Sequence, residues 1–163
     1  MSFLNAKRYT LNASRGFTLV EVLVSLAVLA IISVIGLNSF STVNTGKALD
    51  IETEKVISLI AKARALTLSA KDGAAYGVHF EERKTVLFKG PTYSAGASGN
   101  QEQALNDAVR ISAVALTGGG AEVLFAKLTG ATAQSGTVAL AAVRDASKTR
   151  VITIAATGVA YSN

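Results

Sequence analysis

Read from its N-terminus, the chain changes its hydrophobic pattern in stages. A polar, basic start, Met1 to Gly16, gives way to an apolar run from Phe17 to Leu37 that carries one charge, Glu21. At about 1.5 Å per residue this run makes a helix of roughly 31 Å, enough to cross a hydrocarbon core of about 30 Å. The polar series Asn38, Ser39, Ser41, Thr42, Asn44, Thr45 and Gly46 marks the exit from that run, and a helical stripe then resumes. Val56, Leu59, Ile60 and Ala63 follow one face, whereas Glu54, Ser58 and Lys62 follow another. The pattern predicts one long helix from Phe17 to about Ala70, ended by Lys71-Asp72-Gly73.

Beyond Gly73 the period drops to two, which predicts strands near 75–80, 85–89, 109–116, 121–127, 137–143, 149–155 and 158–162. Val123 and Phe125 share one face of their segment, as do Val138 and Leu140 of theirs. Gly118-Gly119-Gly120 and Thr157-Gly158 are turn signals. The only proline, Pro91, opens a polar stretch to about Gln103 with few apolar anchors, which predicts a surface loop. The fold class is α+β: a long N-terminal helix, membrane-spanning in its first half, packed on an antiparallel β domain. Its divisions are a basic leader (1–16), a transmembrane part of the helix (17–37), an outer part of the helix (38–70) and the β domain (71–163).

Glu21 is the anomaly in this scheme. A carboxylate within a bilayer costs about 2.5 to 3.5 kcal/mol on insertion scales, so an acid there is a functional residue in search of a partner. It lies one helical turn from Phe17. A cut after Gly16 would give Phe17 a free amine, a counter-charge for Glu21 of the same or a neighbouring subunit. The leader holds Lys7, Arg8 and Arg15 and no acid, which keeps it cytoplasmic and sends the chain after Leu37 outward. An ordinary secretory signal is cut behind its apolar region at a small-x-small site; here the candidate, Ala27-Val28-Leu29-Ala30, has the wrong spacing. An uncleaved single-pass anchor explains the length and the basic flank but not Glu21.

Charge and composition narrow the options. The net charge of +5 suggests an anionic partner, but removal of the leader's basic side chains takes away three of those charges. Much of the apolar content is alanine, which predicts a small, Ala-rich core. There is no cysteine, so no disulfide framework exists. With a single histidine, His79, neither a common zinc site nor a Cys/His pair can be built. His79 alternates with Val78 and Phe80 and so reads as a solvated or groove-lining strand residue. Ser94-Ala95-Gly96-Ala97-Ser98-Gly99 lacks the spacing of a nucleophile elbow. Asp72, Glu81 and Glu82 read as turn acids beside Arg83 and Lys84 rather than as a cation site. No catalytic residue, metal site or cofactor is expected, and the chain reads as a non-enzyme.

Gly16-Phe17-Thr18-Leu19-Val20-Glu21 followed by an apolar helix resembles the class III signal of type IV prepilins and type II secretion pseudopilins. The resemblance implies that a prepilin peptidase cuts between Gly16 and Phe17 and methylates the new amine of Phe17, and that Glu21 meets the amine of an adjacent subunit during assembly. It implies a pilin-like fold, held in the cytoplasmic (inner) membrane with the N-terminus cytoplasmic, surrounded by lipid before assembly and by other pilin or pseudopilin subunits in a filament. In the outer domain Gly77-Val78-His79-Phe80, Thr137-Val138-Ala139-Leu140, Arg150-Val151-Ile152-Thr153-Ile154 and Gly158-Val159 resemble H-type pseudopilins and FimT-like minor pilins. The function so implied is that of a structural subunit of a type IV pilus or pseudopilus. The alternatives are a pseudopilin of type II protein secretion and a DNA-binding minor pilin of DNA uptake. For the latter only Arg144, Lys148 and Arg150 qualify, with Asp145 among them and no charge from Ala155 to Asn163. Phosphate affinity scales with the number of neutralising cations, so DNA is not an expected partner.

Overall fold

The computed structural model describes residues 16–162, without the side chains of residues 34–44. The leader expected over 1–16 therefore lies outside the described residues except for Gly16. The chain divides into two units, Met1–Phe40 and Ser41–Asn163. The described part of the first is helical from Leu19, the start of α1 (Leu19–Leu68).

In the second unit the rest of α1 packs on two four-stranded antiparallel sheets. The strands are β1 (Tyr76–Phe80), β2 (Lys84–Lys89), β3 (Gln101–Ala104), β4 (Val109–Leu116), β5 (Glu122–Leu124), β6 (Gly136–Ala142), β7 (Thr149–Ile154) and β8 (Ala160–Ser162). One sheet runs β3-β2-β1-β5 and the other β4-β6-β7-β8. The α1 stripe Leu49, Val56, Leu59, Ile60 and Ala63 is buried against Val78, Phe80, Val123 and Phe125 on one side and Val138, Leu140, Ile152 and Ile154 on the other. The period-two faces read from the sequence are thus the inward faces.

Three expectations change. The core is made of Val, Leu, Ile and Phe rather than alanine, with Ala63, Ala141 and Ala142 its only fully buried alanines among the described residues. Two sheets and a helix each supply an inward row of branched side chains, and Ala113 and Ala115 face outward instead. The stretch after Pro91 does not remain a loop to Gln103. Gln101–Ala104 forms the edge strand β3, paired with β2 from Lys84↔Ala104 to Leu87↔Gln101. Its side chains are mostly exposed, so no hydrophobic pattern announces it. It is held by backbone pairing, by Lys84 to Glu102 at 2.8 Å, by Lys62 Nζ donating to Gln101 Oε1 at 2.8 Å, and by the buried Leu105 that follows. Lastly, α1 stops at Leu68, and the chain passes through a left-handed Ala70 (φ 48°) into the 3-10 turn Lys71–Gly73.

Polar contacts fix how α1 meets the sheets. The hydroxyl of the fully buried Thr67 donates to Ala63 O at 3.0 Å and accepts the Tyr76 amide at 2.9 Å, which ties the start of β1 to the last turn of α1. Arg64 Nε donates to Gly130 O at 3.1 Å and Thr157 O at 3.3 Å, drawing two turns to the helix. Gly158 in the second turn has φ 80°, and a Cβ there would run into the Gly130 carbonyl. A side chain at Gly77 would meet the Phe88 ring and the Val123 backbone, so the first position of Gly77-Val78-His79-Phe80 must stay bare.

Candidate functional site

The head of α1 carries the residues singled out by the sequence. Gly16, Phe17 and Thr18 precede the helix in extended or irregular chain, and Glu21 lies in its first turn. Thr18 caps it: the Glu21 amide donates to Thr18 Oγ1 at 3.2 Å and the Val22 amide to Thr18 O at 3.2 Å. Thr18-Leu19-Val20-Glu21 thereby has the Thr-x-x-Glu spacing of a capping box, with an acid at the positive end of the helix dipole. The sequence reading missed Thr18, although the spacing was visible. Glu21 consequently has a local use in the helix start as well as the pairing expected of it.

Every described side chain from Gly16 to Ser33 is exposed. Phe17 is 83% exposed, Leu19 76% and Ile31 63%, so an apolar helical surface has no cover among the described residues. The two serines of this stretch satisfy their hydroxyls internally, Ser25 donating to Glu21 O and Ser33 to Leu29 O, both at 2.7 Å. Such back-bonding lets a hydroxyl sit in an apolar setting without a foreign partner. Among the described residues no helix is long and apolar enough to cross a membrane. Side chains of the apolar run are described only as far as Ser33, so the segment expected to span, 17–37, falls partly outside them.

The basic residues near the C-terminus have different neighbours. Arg150 Nε lies 2.8 Å from Asp50 Oδ1 on α1. Lys148 lies near Asp145, which is held in a turn by the Ser147 hydroxyl and amide. Those hydrogen bonds, chiefly the hydroxyl's, hold the Asp145 carboxyl below the usual range, with Lys148 contributing. Arg144 projects from the turn after β6, at a groove beside α1.

The acids near the sheet edge are likewise taken separately. Asp72 pairs with Lys89 at 3.2 Å, Glu81 with Lys84 at 3.6 Å and Glu82 with Arg110 at 3.6 Å. Among the described residues no group of histidine, cysteine or acidic side chains could hold a metal ion. His79 is half-buried: its ring stacks on Tyr93 at 3.9 Å, and its Nδ1 lies 3.9 Å from Glu122 Oε2. Tyr93, from the loop after Pro91, donates its amide to Glu122 and its hydroxyl to Glu81, each at 3.3 Å. Burial first and the Glu81 charge second push its phenol up. The sequence had no signal for this anchor beyond a tyrosine in a polar stretch.

Residues 11–37 match the family model described as the prokaryotic N-terminal methylation motif. No match to a curated protein was found by sequence. Among solved structures, the type IV minor pilin FimU of Pseudomonas aeruginosa (strain PAO1) is similar to this chain, with a TM-score of 0.54 over 71% of this chain and 92% of that one. The identity is 13%, so the likeness is one of fold. The motif is a prepilin signal, which implies a chain anchored in a membrane before assembly. The chain thus carries a methylation motif at the head of a long helix, followed by antiparallel sheets, and its α+β fold is similar to that of the minor pilin FimU.

Proposed function

We propose that the chain is a prepilin-type structural subunit, cut after Gly16 by a prepilin peptidase, N-methylated at Phe17, and polymerised through its N-terminal helix into a type IV pilus or pseudopilus. In this reading residues 1–16 are the discarded leader, 17–37 the span in the inner membrane with the N-terminus cytoplasmic, 38–70 the outer helix and 71–163 the β domain. The observation that carries it is the apolar helix headed by Glu21 whose side chains are exposed throughout their described length. Such a surface is covered by lipid before assembly and by helices of other subunits after it. Passing from one apolar environment to the other keeps its burial, while pairing between Glu21 and the Phe17 amine of a neighbour offsets the cost of the buried charge and sets the register.

The mechanism is association and requires no turnover. DNA has no part in it, since Arg150 is engaged by Asp50 and leaves too few cations for a backbone-tracking surface. The test is the pair Gly16→Ala and Glu21→Ala. Gly16→Ala should leave the N-terminus uncut by mass, and Glu21→Ala should be cut normally yet be missing from sheared filaments. Normal filaments containing the Glu21→Ala chain would refute the pairing.

A further inference from the structure

α1 and the turn after β6 enclose a groove of about 690 Å³ within the second unit. Ile51 and Val143, 55% and 46% exposed, form an open aliphatic floor. The turn after β6 is fastened to the segment before β4, which also lines the groove, because the Val143 amide donates to Ala108 O at 2.9 Å. Lys47 and Arg144 line it and have no ionic partner among the described residues. The one acid in the lining, Asp107, is drawn toward Arg83 at 3.9 Å, and the nearby Asp50 is occupied by Arg150. The groove therefore couples two uncompensated cations to an uncovered apolar floor, which is the complement of an amphiphilic anion.

We propose that this groove holds the headgroup of an anionic phospholipid, its phosphate between Lys47 and Arg144 and its glycerol and first acyl carbons against Ile51 and Val143. The proposal rests on the membrane-anchored reading above. Lys47 follows the end of the apolar run at Leu37 closely in sequence, so lipid phosphates are the anions a newly inserted chain meets at the highest local concentration. Long basic side chains there lay their stems along apolar surface while the charged head reaches the phosphate. A free inorganic phosphate would leave Ile51 and Val143 in water, and only a ligand with an apolar stem uses both parts of the groove. The lipid would hold the outer domain on the membrane until the subunit is drawn into a filament, adding a step of headgroup release to assembly.

The absence of cysteine allows a clean probe: a single Ala146→Cys change in the full chain, labelled with an environment-sensitive dye beside Arg144. In nanodiscs of phosphatidylglycerol with phosphatidylcholine, emission should shift to the blue relative to discs of phosphatidylcholine alone. The Lys47→Gln, Arg144→Gln double change should abolish the shift, and Lys47→Arg should retain it. Equal emission in the two discs, or a shift that survives the double change, would overturn the proposal. So would an equal shift on adding glycerol phosphate to phosphatidylcholine discs, which would make the groove a site for soluble phosphate. Retention of the chain in neutral discs on gel filtration reads the anchoring by itself, so loss of retention sinks the membrane reading rather than the lipid preference of the groove.

Discussion

The amide of Glu21 is bonded to the hydroxyl of Thr18 at 3.2 Å, so the residue expected to pair between subunits is also the third residue of a capped helix. The two roles use different atoms, one the backbone and the other the carboxylate. Thr18→Ala should therefore weaken the helix start by about 1 kcal/mol, seen as faster amide exchange at Leu19 to Val22 in micelles, and still allow incorporation into filaments. Glu21→Gln should keep the exchange pattern and abolish incorporation. Loss of incorporation in Thr18→Ala with a normal amount of processed protein would show that the cap, not the charge, is what assembly needs.

Thr67 gives a sharper stability test, since its hydroxyl serves two backbone groups in a fully buried position. Thr67→Val preserves shape but leaves the Tyr76 amide unpaired, which should cost about 1 to 3 kcal/mol. The check is the urea midpoint at unchanged slope. A loss well under 1 kcal/mol would mean that water replaces the hydroxyl.

Two glycines at similar dihedrals separate strain from crowding. Gly119 has φ 73° with open space around it, and Gly158 has φ 80° with the Gly130 carbonyl in the way. Gly119→Ala should cost about 1 to 2 kcal/mol, the left-handed penalty alone. Gly158→Ala should cost distinctly more and loosen the turns held by Arg64. Equal thermal midpoints for the two variants would show that the turn at Gly158 shifts freely.

Glu52 is a buried acid on α1 whose Oε1 lies 2.8 Å from Lys55 while its Oε2 has no partner. Removing the cation should hurt more than removing the pair. Lys55→Met should destabilise by about 1 to 3 kcal/mol, and Glu52→Leu with Lys55→Met should recover most of that loss in the same denaturation assay. A double variant no more stable than Lys55→Met would place the cost in lost packing rather than in a stranded carboxylate.

Two surface pairs contribute to the pH dependence of stability. Hydrogen bonds from Lys89 and then Tyr76 hold the Asp72 carboxyl below its ordinary value. A depressed acid contributes fully above its unfolded value of about 3.9 and loses its contribution as pH falls through the lower folded value. The hydrogen bond to Glu102 raises the Lys84 ammonium. That contribution is complete below the ordinary lysine value of about 10.4 and disappears as pH rises through the higher folded value. Asp72→Asn should flatten the acid limb of a melting-temperature profile and Glu102→Gln the alkaline limb. An acid limb unchanged in Asp72→Asn would assign it to other carboxylates.

The sequence made legible whatever repeats. The α1 stripe, the inward rows of β1, β6 and β7 and the Gly16-Phe17-Glu21 signal all follow from periodic burial or fixed spacing. What it hid is aperiodic. β3 exists through backbone pairing and charged contacts at Glu102 and Gln101, so its side chains carry no alternation. Arg64 and Thr67 look like unremarkable helix residues until the turns they bind, far away in sequence, are in place. The pair of Arg150 with Asp50 is equally invisible in the sequence, because Asp50 is on another element.

The polar strand β3 also has a bearing on how such a chain avoids the wrong polymer. Without it, β2 would offer the open backbone of a strand whose Thr85 to Phe88 are buried, a template for sheet-to-sheet aggregation between copies of the chain. A short, charged outer strand blunts that edge. Under the proposed function, self-association is thereby left to the helix.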